Sequence, residues 1–242
     1  MKAIALIFSV FTLLFCSVQV NSQEFVGAFK LQKGDIEQVV AVVDGYLSHT
    51  TYDLKNKKFI STRGGELQIQ DTGYSVKWQY DTQKTADGTP VESWLGQTSQ
   101  FDFTLVDGGV QTNLSGNLEV WQMVDGMATP LTGVWRMTGR KQGDQISKTT
   151  LQSRRTLKIL TGNRFQWVAI NIQTGQFSGT GGGTYTFKDG KYTENIEFFS
   201  RDDSRVGMSL TFDGQIVDGE WHHSGNSSTG NYIYEIWGKL EK

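Results

Sequence analysis

Apolar and polar residues alternate with period two along most of the chain, in segments of mostly five to nine residues. Turn sequences such as Asp44-Gly45, Gly162-Asn163 and Asp189-Gly190 separate these segments. Because side chains along a β-strand point alternately to its two faces, each segment predicts a strand with one face inward. We find no long stretch with helical periodicity. The pattern therefore predicts an all-β protein of antiparallel strands joined by tight turns.

The predicted strands occur in the same order twice. The first half contains predicted strands near Phe25–Gln32, Gln38–Val43, Tyr46–Tyr52, Lys58–Thr62, Glu66–Gln70, Tyr74–Tyr80, Gln100–Val106 and Asn117–Val124. The second half contains predicted strands near Thr132–Gly139, Thr149–Ile159, Arg164–Ile172, Thr184–Phe187, Tyr192–Phe199, Val206–Phe212, Gln215–His222 and Tyr232–Leu240. The chain therefore reads as one structural unit followed by a second copy of it.

Equivalent residues of the two copies recur at one spacing near the start of each copy and at a larger spacing in its central strands. Gly65 and Gly183 lie 118 positions apart, whereas Gly27 and Gly133 lie 106 positions apart. The second copy therefore has about twelve additional residues, which we place near Gln142–Ser153.

Some of the predicted joints are turns and one is a long loop. Gly64-Gly65 is predicted as a turn, and the turn Asp107-Gly108 corresponds at the spacing of 106 to a predicted turn at Asp213-Gly214. The polar stretch Thr82–Gln97, which contains Pro90, predicts a long loop.

About eight short antiparallel strands in each half suit either a sandwich or a closed barrel. Closure removes the unpaired strand edges that invite aggregation, which favours the barrel. A barrel of about eight strands has an interior for packed side chains or for one small ligand. We predict a first barrel over residues 23–124, a linker over residues 125–131 and a second barrel over residues 132–242.

Residues 1–22 predict a secretory signal peptide. Lys2 is followed by the apolar run Ala3–Phe15, which is shorter than the roughly 20 residues that span a bilayer. We expect cleavage before Gln23 and an exported protein, periplasmic or extracellular, of a Gram-negative bacterium. Cys16 is the single cysteine, so no disulfide is expected. A lipid anchor at Cys16 is the lesser alternative, because bacterial lipidation normally needs a small residue where Phe15 stands.

The charge and the motifs exclude several classes of function. The formal net charge is −2, and there is no polybasic cluster, which argues against nucleic-acid and anionic-membrane partners. The glycine-rich stretch Gly179–Gly183 precedes a predicted strand rather than the helix that a phosphate site requires, so it predicts a turn or bulge. His222 and His223 point to opposite faces of one strand and do not predict a metal site. The sequence predicts no cofactor and no catalytic motif, and it leaves the oligomeric state open.

Gly133-x-Trp135, on the first predicted strand of the second half, resembles the lipocalin-like barrels. In that family the tryptophan plugs the closed end of the barrel near a basic residue from a late strand, and the resemblance implies that Lys239 takes this place here. A closer resemblance is to uncharacterised secreted bacterial proteins with a lipocalin-like domain. The segments that carry it are Phe165–Ala169, Gly181–Tyr185, Lys191–Glu197 and Tyr234–Trp237.

This resemblance covers the second half of the chain. The first half departs from it, since Phe29 stands in place of Trp135 and Val76 in place of Glu194. The resemblance implies two tandem antiparallel lipocalin-like β-barrels and the binding of a hydrophobic ligand, and it implies no established reaction.

Glu194 is the most informative polar residue of the second half. It alternates with the apolar residues Tyr192, Ile196 and Phe198, so its carboxylate is predicted to face the barrel interior, where an unpaired charge is costly. Arg155 alternates in the same way with the apolar residues of its own strand. We predict that Arg155 and Glu194 face each other inside the second barrel, with His223 nearby. A satisfied structural pair or an inverted strand face is the alternative.

These polar groups would orient a ligand headgroup among aromatic side chains. The predicted ligand-binding residues are Trp135, Arg155, Phe165, Trp167, Tyr185, Tyr192, Glu194 and His223. The first hypothesis is therefore an exported protein that holds a small hydrophobic or amphipathic ligand in its second barrel. The second is a structural or interaction protein with side-chain-filled barrels that binds a protein or glycan through loops such as Thr82–Gln97. The third is an unrecognised hydrolase or isomerase that uses Glu194, Arg155 and His223.

Overall fold

The structure, a computed structural model, describes residues 26–70, 73–84 and 95–241. The predicted signal peptide and residues 85–94 of the predicted loop lie outside these ranges. The first eight strands are β1 (Gly27–Lys33), β2 (Ile36–Val43), β3 (Tyr46–Asp53), β4 (Lys58–Gln70), β5 (Gly73–Asp81), β6 (Thr98–Val106), β7 (Gly109–Thr112) and β8 (Glu119–Met123). The remaining strands are β9 (Gly133–Gln142), β10 (Gln145–Lys148), β11 (Arg154–Leu160), β12 (Arg164–Asn171), β13 (Phe177–Lys188), β14 (Lys191–Phe199), β15 (Ser209–Val217), β16 (Glu220–Asn226) and β17 (Tyr232–Lys239).

Each half of the chain forms a closed antiparallel barrel. Strands β1 to β8 pair in chain order, and β1 closes the ring by pairing with β8, with Phe29 opposite Met123. Strand β9 pairs with β11 and also with β17, which closes the second ring. The prediction of an all-β protein with two tandem eight-stranded barrels is confirmed. Among the described residues, no helix has the length and apolarity needed to cross a membrane.

The additional residues of the second copy form a hairpin. Within the described residues, strand β10 pairs with the end of β9 alone and has no counterpart in the first barrel. Strand β10 lies within the predicted segment Gln142–Ser153, so the prediction of where the second copy is longer is confirmed.

Two glycine-rich segments run through strands instead of forming turns. Strand β4 continues through Gly64 and Gly65, and β13 includes the whole of Gly179–Gly183, so the predicted turn in the first copy is wrong. The register shifts at the same place in both copies, between Gly64 and Gly65 and between Gly182 and Gly183. A Cβ atom at Gly65 or Gly183 would lie 2.0 Å from a carbonyl oxygen of the neighbouring strand. These glycines therefore permit a close approach of backbones at a β-bulge.

The turn between β15 and β16 differs from the predicted one. Asp213-Gly214 lies inside β15, whereas Asp218 and Gly219 connect the two strands and have φ angles of 50° and 81°. Positive φ at both central residues is the geometry of a two-residue hairpin turn. The second-copy counterpart of Asp107-Gly108 is therefore Asp218-Gly219, and the predicted correspondence with Asp213-Gly214 is wrong.

The linker is held by the second barrel. The carboxylate of Asp125 accepts hydrogen bonds from Thr161 Oγ1 at 2.8 Å and from the backbone N–H groups of Gly162 and Asn163, both at 3.0 Å. Asp125 therefore fixes the end of the first barrel to the turn between β11 and β12.

The two barrels pack side by side through an apolar surface. One buried cluster combines side chains of both: Ala41, Val43, Tyr46 and Tyr80 from the first barrel with Val134, Leu157, Ile159, Val168 and Ile170 from the second. Strand β2 is consequently buried on both faces, since Val40 and Val42 point into the first barrel while Ala41 and Val43 contact the second. This double burial explains why residues 39–43 of β2 form a continuous apolar run.

Gln166 extends the contact between the barrels with hydrogen bonds. Its amide nitrogen donates to Thr62 Oγ1 and Thr180 Oγ1, both at 3.0 Å, and its carbonyl oxygen accepts from Ser48 Oγ and from Thr50 Oγ1. Every polar atom of this buried amide therefore has partners, as buried polar groups require.

The interior of the first barrel is filled by its own side chains. The guanidinium of Arg63 lies 4.6 Å from the centroid of the Trp78 ring, donates to Leu114 O at 2.7 Å and contacts His49 Nδ1 at 3.3 Å. Buried aliphatic and aromatic side chains, among them Trp121, surround it. The interior of the second barrel is only partly filled by side chains and contains a cavity.

Candidate functional site

One end of the second barrel is closed by aromatic side chains. Trp135, near the start of β9, is 1% exposed and donates from Nε1 to Leu131 O at 2.7 Å. The ammonium of Lys239 lies 4.3 Å from the Trp135 ring centroid, so the expected placement of Lys239 is confirmed. Tyr185 hydrogen-bonds through its hydroxyl to Thr161 O at 2.7 Å. Together these residues form the floor of the barrel.

A buried ion pair lies above this floor. Lys158, from β11, donates to Glu194 Oε1, from β14, at 2.8 Å, and the two side chains are only 5% and 8% exposed. The Lys158 ammonium also lies 4.9 Å from the ring centroids of Tyr192 and Trp221 and 5.3 Å from that of Trp237. A carboxylate and three aromatic faces therefore compensate the charge of the ammonium.

His223 and Glu235 add a second polar pair on the adjacent strands β16 and β17. His223 Nδ1 lies 3.6 Å from Glu235 Oε2, which is longer than a hydrogen bond. Burial lowers the pKa of His223 below its ordinary value of 6.5, and the charge of Lys158 lowers it further. Burial alone would raise the pKa of Glu235, but His223, Lys158 and Arg140 outweigh it and leave that pKa below the ordinary value. At neutral pH, His223 is therefore uncharged and Glu235 is ionised.

Several buried polar atoms at this level have no hydrogen-bond partner within the described part of the chain. They are both ring nitrogens of His223, the indole nitrogens of Trp221 and Trp237, and the hydroxyl oxygen of Tyr192. Buried polar atoms are nearly always hydrogen-bonded to protein, water or ligand. His223 and Trp237 border a cavity, so the partner that they lack can come from its contents.

The cavity has a volume of about 760 Å³ and occupies the half of the barrel opposite the floor. Its inner lining combines the polar residues Lys158, Glu194, His223 and Glu235 with the apolar residues Met137, Phe165, Trp167, Ala169, Ile196, Leu210, Phe212, Ile233 and Trp237. The volume falls within the range of about 300 to 1,000 Å³ that is usual for small-molecule sites. Apolar walls with a few polar groups at depth are the usual composition of such sites.

Four of the predicted site residues line this cavity where the sequence placed them: Phe165, Trp167, Glu194 and His223. Trp135, Tyr185 and Tyr192 lie in the packed layer between the cavity and the closed end. The structure thus brings seven of the eight predicted residues into the interior of one barrel. Whether they contact a ligand stays a prediction.

Arg155 is the exception, and its predicted pairing with Glu194 is wrong. Its strand neighbours Leu157 and Ile159 belong to the apolar contact between the barrels, so this face of β11 is the outer one. The Arg155 guanidinium donates to Gln152 O at 3.3 Å and borders the solvent-facing part of the cavity, while Lys158 takes the position beside Glu194. Apolar residues mark the outer face of β11 because the first barrel covers it.

Phe198 also departs from the prediction. The register shift opposite Gly182 and Gly183 makes Glu197 an extra residue in β14. Phe198 therefore turns away from Glu194 and packs outside the barrel against Tyr52 and Val39 of the first barrel. Glu197 lies on the same outer surface, where its carboxylate forms an ion pair with Arg164.

Sequence reasoning missed Lys158, Glu235 and Trp237 as members of the site. For Lys158 a signal was present, since the turn Gly162-Asn163 sets the register that places Lys158 directly opposite Trp167. Directly opposed residues of an antiparallel pair lie on the same face. The inward assignment of Trp167 therefore implies an inward Lys158 and an outward Arg155.

Comparison with known proteins adds a domain match. The sequence model of a domain of unknown function, DUF4488, matches residues 130–242, which contain the second barrel. A crystal structure of an uncharacterised protein from Bacteroides eggerthii covers 45% of this chain and 98% of its own, with 16% sequence identity and a TM-score of 0.32. A search of curated proteins found no match. The two eight-stranded barrels fit a lipocalin-like fold. The description of the matched domain names neither a lipocalin family nor an activity.

Proposed function

We propose that the second barrel binds a small amphipathic molecule, with a neutral polar group of the ligand at His223 and Trp237 and its apolar part along the walls. The observation that carries this proposal is a cavity of about 760 Å³ that ends on buried polar atoms without partners. A ligand hydroxyl or carbonyl at this depth would supply the missing hydrogen bonds, and apolar contact with Phe165 and Phe212 would supply most of the affinity.

The first barrel has a supporting part in this proposal. Arg63 and the aromatic side chains around it fill its interior, and its outer face covers β11 and β12 of the second barrel. It resembles the side-chain-filled barrel of the second sequence hypothesis, whereas the second barrel has the composition of a binding site. We also propose, from the predicted signal peptide, that binding takes place outside the cytoplasm.

The first experiment searches for a molecule that the protein already carries. Protein purified from the envelope of its own host is measured by native mass spectrometry, and any bound compound is extracted under denaturing conditions. A stoichiometric small molecule in the envelope fraction is the expected result. Protein of apo mass that stays apo after incubation with an envelope lipid extract would contradict the proposal.

The second experiment tests the polar end of the site with lauryl alcohol as the probe, measured by titration calorimetry. Replacing His223 by Phe removes the unsatisfied ring nitrogens while retaining an aromatic ring, so we expect affinity to fall by about tenfold, the value of one hydrogen bond. His222→Phe is the matched control, because this neighbouring ring points to the outer face and contacts Tyr234 Oη at 2.9 Å. Equal affinity of both variants for lauryl alcohol would refute the assigned role of His223.

A further inference from the structure

The solvent-facing part of the cavity is strongly cationic. Among the described residues, its lining contains five arginines, Arg136, Arg140, Arg154, Arg155 and Arg201, and the acidic residues of the lining are Glu194 and Glu235. Arg154 and Arg201 are exposed, and the side chain of Arg140 is 57% exposed. We call these five residues the arginine mouth. The charge is local, since the whole chain has a formal net charge of −2.

Most of the arginine mouth is not neutralised by the protein. Arg136, Arg155 and Arg201 donate to backbone carbonyl oxygens at 2.7 to 3.3 Å, contacts that orient a guanidinium without supplying a counter-ion. Within the described ranges, Arg140 is the one member that has a carboxylate within 4 Å, with Glu235 at 3.4 Å. Burial lowers the pKa of Arg155, and the positive charge of Arg136 lowers it further, while Tyr46 and the carboxylate of Glu66 on the first barrel offset part of this shift. The guanidinium groups of Arg136 and Arg155 therefore lie near enough to repel each other.

The interior of the cavity has no excess of positive charge. Lys158 pairs with Glu194, Arg140 pairs with Glu235, and His223 is uncharged at neutral pH. An anionic group that entered this depth would meet two carboxylates whose cations are already paired. The electrostatic field therefore favours an anion at the arginine mouth and disfavours one beside His223.

We infer that the ligand is an anionic amphiphile whose carboxylate, sulfonate or phosphate group lies at the arginine mouth, while its apolar body runs along the cavity walls and its neutral polar group lies at His223. This inference rests on the proposed function, because it assigns a charge and an orientation to the ligand of the same cavity. Guanidinium groups suit this task, since each offers a planar pair of donors that matches the oxygen atoms of such anions.

The test compares three probes with one chain length and different head groups: laurate, lauryl alcohol and lauryltrimethylammonium. Affinities are measured below the micellar concentration of each probe by titration calorimetry. We expect laurate to bind about tenfold more tightly than the alcohol, and the cation to bind more weakly than both. High salt should weaken laurate binding several-fold and leave the alcohol nearly unchanged, because salt screens exposed charges.

The variant Arg154→Gln/Arg155→Gln locates the anion. We expect it to lose about tenfold in laurate affinity, from two partly exposed charge contacts, and to keep its affinity for lauryl alcohol, which also shows that it folds. The matched control is Lys188→Gln/Lys191→Gln, which removes the same charge beside the turn at the closed end of the same barrel.

The outcomes separate the two proposals. If laurate and lauryl alcohol bind equally, or if both double variants weaken laurate to the same extent, the arginine mouth has no role and the inference is overturned while the binding function stands. If none of the three probes binds, both the proposed function and this inference are overturned.

Discussion

Lys158 and Glu194 depend on each other inside the second barrel. Each side chain is less than one-tenth exposed, and the two charges are 2.8 Å apart. Taking either charge out of water is costly, and the partner together with the aromatic rings offsets that cost. Removing one partner leaves the other buried without its counter-ion, whereas removing both leaves neither of these charges to be buried.

We predict a strongly non-additive double-mutant cycle at this pair. Lys158→Met and Glu194→Leu should each lower the free energy of unfolding by about 3 to 5 kcal/mol, because each leaves an unpaired buried charge. The double variant should lose far less than the sum of the two single losses. Urea denaturation of the four proteins measures the coupling, and additive losses would show that the pair is solvated in solution.

At the scale of elements, the β-bulges decide which residues face inward. Both barrels carry one at the same place, with Gly65 on β4 and Gly183 on β13. In the second barrel the extra residue Glu197 reverses the alternation of β14, so Ile196 lines the cavity while Phe198 packs outside the barrel. The bulge thus lets one strand supply a side chain to the cavity and another to the contact between the barrels.

We predict that alanine is poorly tolerated at both bulge glycines. A Cβ at Gly65 or Gly183 would overlap a backbone carbonyl oxygen at 2.0 Å, which the paired strands can relieve only by moving apart. Each Gly→Ala variant should lose roughly 3 kcal/mol or more of unfolding free energy. Gly34→Ala is the control, since its φ is +61° and nothing lies within 4 Å of its Cβ, so about 1 kcal/mol is expected there. Equal losses at Gly34 and Gly183 would argue against the close approach.

At the scale of the whole molecule, the two barrels share an apolar contact surface, and each barrel alone would expose its half of that surface to water. Leu157, Ile159, Val168 and Ile170 point outward from the second barrel and are buried only because the first barrel covers them. Gln166 supplies the hydrogen bonds of the same surface. Although the domain match spans residues 130–242 alone, the chain buries this surface as a pair of barrels.

We predict that a fragment of residues 130–242 exposes this patch and self-associates, because exposed contiguous apolar surface promotes association. Sedimentation velocity should show dimers or larger species for the fragment. The full chain is measured in the same way as the comparison. Ile159→Gln/Ile170→Gln in the fragment should shift it toward monomer. A fragment that is monomeric and as heat-stable as the full chain would show that the barrels are independent.

Much of the candidate site follows from local patterns. Alternation places Phe165, Trp167, Glu194 and His223 inside, and all four border the cavity. The predicted inward position of Arg155 is wrong because the apolar residues on its strand were assigned to the inner face. The neighbouring barrel buries the outer face of that strand as well. Lys158 follows only when the register of the hairpin is combined with the inward assignment of Trp167.

The sequence by itself determined most of the strands, the repeat of the unit and the closed all-β architecture, because period-two alternation and turn residues act over short distances. It placed turns wrongly where Gly64-Gly65 and Asp213-Gly214 lie inside strands. The tertiary structure decided which face of β11 and β14 is inner, since a strand that is buried on both sides has no polar face to mark the outside. It also decided which barrel is hollow. Arg63 fills the first, while in the second Lys158 and Glu194 lie low and leave the space above them open. That difference depends on how side chains from several strands meet, which no single segment encodes.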